Sequence, residues 1–165
     1  MKKTGLVCLA LLILVLVGST DNADSSSVLI PVAEFTADGQ TTSDSGTYFK
    51  DFVGGFLEGR GSWSCFVAPV RIPGNATKIN KVIVYFEDLN PAPLSAWFTL
   101  DATDMAAGTT YNYVSYYVET GTDFVQAFEL PLSQKALVKG RVYQLGTCMR
   151  DNHYFYGAKV VYAVP

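Results

Sequence analysis

The chain is predicted to fold as an all-β, two-sheet antiparallel sandwich of jelly-roll type with about eight strands. From residue 28 to the end, runs rich in valine, tyrosine and phenylalanine recur, with glycine, proline and Asn/Asp clusters between them. No window shows a convincing helical period, and residues 132–138 have room for one or two helical turns at most. No internal repeat interrupts this texture, so residues 28–165 are taken as a single domain.

The expected strands are 28–37, 63–72, 79–88, 95–101, 111–119, 124–130, 140–149 and 154–164. Residues 38–62 are the least regular part. They carry Gly46, Gly54, Gly55, Gly59 and Gly61 and are expected to form a long loop with one short edge strand over 51–58. Pro73-Gly74-Asn75 reads as a turn, although Asn75-Ala76-Thr77 also matches a glycosylation acceptor. In 95–101, Ala96, Phe98 and Leu100 form an apolar face, which sends Trp97 and Thr99 to the opposite side. In 111–119, Val114 and Val118 claim the core side, so Tyr111, Tyr113 and Tyr117 are expected to point away from it. Around Thr120-Gly121-Thr122, a hairpin would pair Val118 with Phe124, Tyr116 with Gln126 and Val114 with Phe128. A second hairpin, turning at residues 150–153, would set Tyr143, Leu145 and Thr147 against Val160, Ala158 and Tyr156. A slip by one residue would move either set to the wrong face.

The first 19 residues have the form of a secretory signal peptide. Lys2 and Lys3 precede an apolar run from Leu6 to Val17, and Gly18 and Ser19 follow. That run is shorter than the ~20 residues a membrane span needs. Cleavage after Ser19 would leave a polar, flexible lead over 20–27 and a protein secreted or held in a bacterial periplasm, soluble once the signal is removed. Cys8 lies within the apolar region, so it does not read as a lipid-attachment site.

Removing Lys2 and Lys3 leaves ten basic side chains against fifteen acidic ones. That balance argues against nucleic acid and anionic membrane surfaces as partners. Cys65 and Cys148 are the two cysteines beyond the leader, and an even count in an exported chain reads as a disulfide. The alternative is two separate buried thiols. Cys148 falls on the surface-like face of its strand, which counts slightly against the bridge.

Catalytic chemistry finds little support, and the protein reads as a non-enzyme. His153 is the sole histidine and sits in an expected turn, where solvent exposure is the simpler reading. Glu87 and Asp88 are neighbours in a strand and point to opposite faces, so they cannot flank one glycosidic bond. Glu129 is expected beside Tyr113 with no second acid near it. No cofactor is implied. Structural calcium is the one metal worth weighing, through Asp101 and Asp104 or Asp38 and Asp44, but turn-forming aspartates explain the same pattern.

The aromatic side chains are the better lead. Ten tyrosines, ten phenylalanines and two tryptophans all lie beyond the leader. Trp97, Tyr113 and Tyr117, with Tyr85 on a face shared with Lys81 and Glu87, would make a platform on which sugar rings stack. The alternative is that loops or a partner subunit cover these rings.

The segment Cys65-Phe66-Val67-Ala68-Pro69-Val70-Arg71-Ile72-Pro73, followed by Ala76-Thr77-Lys78-Ile79 and Val82-Ile83-Val84-Tyr85, resembles a group of uncharacterised secreted bacterial β-sandwich proteins with a Cys…Ala-Pro-Val strand. Residues 30–39 look like their opening strand and Val160-Val161-Tyr162 like their last. The resemblance implies a sandwich and export, and it brings no activity or site residues. Two functions are therefore carried forward. One is a secreted module that binds a polysaccharide or surface polymer through exposed aromatics. The other is a structural or assembly protein of the cell envelope.

Overall fold

The computed structural model describes residues 25–37, 47–51, 55–60, 63–88, 96–118, 124–133 and 135–165. The leader, the first residues of the lead, Asp38, Asp44 and the turn at Thr120-Gly121-Thr122 lie outside the described residues. Among the described residues there are twelve strands and one short 3-10 turn. The strands form two antiparallel sheets, and the sandwich expected from the alternation is the fold observed.

Strands β1 (Ser25–Pro31), β3 (Thr47–Asp51), β4 (Phe56–Arg60), β6 (Lys78–Asp88), β9 (Gln126–Glu129), β10 (Lys135–Ala136) and β12 (His153–Ala163) build a seven-stranded sheet. Strands β2 (Thr36–Ala37), β5 (Ser64–Val70), β7 (Ala96–Asp104), β8 (Thr109–Val118) and β11 (Arg141–Met149) build a five-stranded one, in the order β2-β5-β11-β7-β8. Strict alternation of buried and half-exposed positions in β5 and along most of β7 aims one row of side chains inward. Phe86 of one sheet meets Phe98 of the other edge to face at 5.9 Å, and Phe155 packs against Phe35 at 4.8 Å. Each such fully buried ring contributes roughly 2–3 kcal/mol through apolar burial.

More strands appear than the eight expected because residues 28–37 are split in two, β3 and β4 arise within the irregular region, and Lys135–Ala136 pairs with β6 as β10 where at most a helical turn or two was expected. Residues 28–37 begin in one sheet and end in the other. Proline at position 31 has no N–H to continue the ladder, a 3-10 turn follows over Val32–Glu34, and β2 then pairs with β5. The first run also starts earlier than expected, with Ser25 already opposite Ala163. The expected edge strand over 51–58 is instead the hairpin β3–β4. The turn after Pro73 is as expected, the Ala76 N–H donating to the Pro73 carbonyl at 3.0 Å.

Both hairpin registers are corrected by the topology. β8 pairs with β7, setting Val114 against Leu100 and Val118 against Ala96. β9 pairs with β6 in the other sheet, setting Phe128 against Val84. Likewise β11 lies between β5 and β7, whereas β12 pairs with β6, β4 and β1. The turn at Asp151–Asn152 is an arch between sheets, with Asn152 at φ 62°. Alternation assigns a face to each residue, and both sheets have an inward face, so the same pattern serves a hairpin or an arch.

Candidate binding face

The outward side of the five-stranded sheet carries the aromatic pair. Trp97 and Tyr117 are direct cross-strand partners in β7 and β8. Their rings stack at 5.9 Å with planes 17° apart, and the Trp97 Nε1–H donates to Ser115 Oγ at 2.7 Å. That bond fixes the indole's tilt, while Tyr117 stays 47% exposed. On the other side of Trp97 the register places Cys148 of β11, and Cys65 of β5 beyond it. Those two cysteines form the disulfide expected from their count, bridging directly paired strands with 4.0 Å between Cα atoms.

A groove of about 460 Å³ runs from Trp97 and the disulfide toward Asp101, over β11. Its floor is Gly146. A Cβ there would sit 2.6 Å from Thr99 Oγ1, so glycine leaves the floor open. Thr99, Asp101, Asn112 and Gln144 supply hydrogen-bonding groups along it, and Asp101 Oδ1 already accepts from Asn112 Nδ2 at 2.8 Å. Trp97 and Asp101 are four residues apart in one strand, about 13 Å. The arrangement offers ring faces at one end and paired donors and acceptors at the other. That is the mixture a hydroxyl-rich, partly apolar ligand needs.

Of the four aromatic residues expected in the platform, the structure brings two together. Tyr113 is not among them. The β7–β8 register shifts between Leu100 and Asp101, leaving Tyr113 as the extra residue of a β-bulge. It packs on the core and meets the Tyr143 ring edge to face at 5.8 Å. Tyr85 lies in β6, in the other sheet, where it pairs with Gly157 and Ala127. Asn112, Gln144 and Gly146 complete the groove, with Ser115 holding the indole beside it, and none carries a sequence signal of its own, because such residues at outward strand positions are ordinary.

Two further expectations change. His153 is fully buried, not exposed in a turn. It opens β12 opposite Asp88, stacks on Phe86 at 5.7 Å, and places Nε2 3.0 Å from Asp88 Oδ1, while Nδ1 lies 3.0 Å from the Arg150 carbonyl. The Nε2 contact is close but poorly aligned as a hydrogen bond. This polar lock closes the end of the arch inside the core and has no access to a substrate. Glu129 pairs with Ile83 and comes within 3.7 Å of Lys81, not beside Tyr113. Asp104 accepts from the Ala106 and Ala107 N–H groups at 3.0 and 3.1 Å, the work of a turn aspartate.

On the outward side of the larger sheet, Tyr156 donates to Glu87 Oε2 at 2.5 Å. Burial pushes the Tyr156 phenol well above the ordinary tyrosine range, and the bond to Glu87 pushes the same way. The folded protein therefore resists an ionisation that the unfolded chain undergoes near pH 10. Stability should be fully present below about pH 10 and decline as pH rises further. Thermal melts from neutral to strongly alkaline pH should show that decline, and it should be shallower in Tyr156→Phe.

No protein-family model matches the chain, and no curated protein matches it. Among solved structures, the xylan-binding module CBM15 aligns with a TM-score of 0.50 at 10% identity, over 84% of this chain and 97% of that one. CBM35 from Cellvibrio japonicus Abf62 aligns at 0.45 and 18% identity, over 85% and 99%. The CBM22-1-GH10 modules of Clostridium thermocellum endo-1,4-beta-D-xylanase 10B, complexed with xylohexaose, align at 0.49 and 10% identity, over 86% and 28%. At these identities the likeness is one of fold. No helix among the described residues is long and apolar enough to cross a membrane.

Proposed function

We propose that this protein is an exported, non-catalytic carbohydrate-binding module that holds a polysaccharide along the outward face of its five-stranded sheet. The observation that carries the reading is the Trp97–Tyr117 stack, pinned by Ser115 at the mouth of a polar groove. The fold shared with a xylan-binding module makes xylan the first polymer to try. Asp101 is the one charged residue among those lining the groove, so a negatively charged ligand is disfavoured along that stretch. An exported chain also suits the disulfide, which persists in oxidising compartments.

Affinity electrophoresis on neutral polysaccharides, followed by calorimetric titration, tests this. Loss of a stacking ring removes about 1 kcal/mol or more, so Trp97→Ala should bind roughly five- to tenfold more weakly at an unchanged melting temperature. A large drop in melting temperature would instead make Trp97 a packing residue. The assembly reading has one observation in its favour, the exposure of Tyr111, Tyr116 and Tyr117 along β8. Light scattering that shows a concentration-independent dimer, with no glycan retained, would favour it.

A further inference from the structure

Strand pairing sets the outward face of the five-stranded sheet in rows that run across it. One row holds Cys65, Cys148, Trp97 and Tyr117, and the next holds Val67, Gly146, Thr99 and Ser115. In the third, Gln144 of β11, Asp101 of β7 and Asn112 of β8 stand side by side. All three line the groove, and neighbouring rows are about 7 Å apart. The face thus changes from rings and sulfur at one end to hydrogen-bonding side chains at the other.

Asn112 joins that third row only because of the bulge. Without the register shift after Leu100, plain alternation would set Tyr113 opposite Asp101 on the outward face. The shift turns Tyr113 to the core and gives its place to Asn112, whose Nδ2 donates to Asp101 Oδ1 at 2.8 Å. Re-aiming one side chain in this way is what bulges do beside functional sites.

A carboxylate can only accept, so this contact fixes which way round the Asn112 amide lies. Asp101 Oδ2 and Asn112 Oδ1 remain as acceptors, and among the described residues no other side-chain hydrogen bond engages either group. Gln144 adds an amide beside them. Two adjacent acceptors match two adjacent donors, which on a neutral sugar are neighbouring, unsubstituted hydroxyls. A hydroxyl that donates to a carboxylate makes a charge-assisted bond, stronger than one to a neutral acceptor.

We infer that Asp101 is the specificity-determining residue of the groove, and that with Asn112 it takes a sugar ring presenting a free vicinal diol. This rests on the carbohydrate-binding reading and narrows its ligand. Asp101 stands two rows from Trp97, farther than one sugar ring extends, so the stacked ring and the diol-bearing ring are different members of one chain. Internal rings of a 1,4-linked chain keep O2 and O3 as such a diol, and acetylation at either oxygen removes it.

Calorimetric titration with xylohexaose and cellohexaose, each beside its O-acetylated form, tests the inference. The native protein should bind at least one free hexasaccharide about tenfold more tightly than its acetylated partner. Asp101 is half-exposed, so Asp101→Asn keeps the fold and the shape of the side chain while turning one acceptor into a donor. It should weaken binding of the free form about tenfold and bind both forms alike, at an unchanged melting temperature. Trp97→Ala should weaken both forms in parallel. Equal or tighter binding of the acetylated forms by the native protein overturns the diol site and leaves the groove standing. Full discrimination retained by Asp101→Asn overturns the assignment to Asp101. Absence of binding to every form overturns the carbohydrate-binding reading and this inference with it.

Discussion

Gly157→Ala should destabilise the protein by roughly 3–5 kcal/mol, a large share of what holds a domain of this size together. Gly157 has φ +121°, a conformation that residues with a side chain rarely adopt. A Cβ there would also lie 2.7 Å from the Ile30 carbonyl oxygen, a backbone atom that cannot swing aside. The position is the bulge at which β12 changes register against β6, between Phe155 and Gly157. An extra methyl would push β1 off β12 or flatten the bulge, and the second would turn buried Ala158 and Val160 toward the wrong face. Denaturant unfolding of Gly157→Ala beside Gly74→Ala checks the argument. Gly74 stands in open space at an exposed turn, so its substitution should shift the midpoint little. Equal shifts for the two would refute the explanation.

Reducing the disulfide, or replacing both cysteines with alanine, should remove about 4 kcal/mol, because the bridge closes a loop of 83 residues in the unfolded chain. A second consequence is specific to this fold. Cys148 is the direct neighbour of Trp97, so loss of the bridge frees one wall of the groove as well. The double alanine variant should therefore lose glycan affinity at temperatures where circular dichroism still reports a folded sandwich. Retained affinity in a folded, bridge-free protein would confine the disulfide to stability alone.

Much of the fold was legible because alternation is a local signal. Ala96, Phe98, Leu100, Val114 and Val118 were assigned to the core side from spacing, and all five are buried. The outward positions of Trp97 and Tyr117 follow from the same parity, as does their proximity once β7 and β8 pair. Partner choice is a different matter. Whether β8 folds back on β9 or crosses to the other sheet depends on contacts with strands far away in the chain, and period two is silent on it. Tyr113 was misplaced for a related reason. The bulge between Leu100 and Asp101 resets parity by one residue, and a run of alternating tyrosines and polar residues does not mark where it falls. His153 looked exposed because Asp151 and Asn152 make a good turn. Its true partner, Asp88, stands 65 positions earlier and meets it only when β6 and β12 pair.

The pairing of β1 with β12 has a consequence for how the chain is made. Ser25 lies opposite Ala163 and Pro31 opposite Gly157, so the first described strand waits for the last. β12 is also the main partner of β6 and supports β4, which leaves the larger sheet without its centre until about residue 163 has been synthesised. Folding can begin in local hairpins such as β3–β4 or β7–β8, but the sandwich cannot close on a nascent chain that still lacks β12. Until then the larger sheet lacks the strand that joins β1, β4 and β6, so the synthesis of β12 is what commits these segments to their native shape.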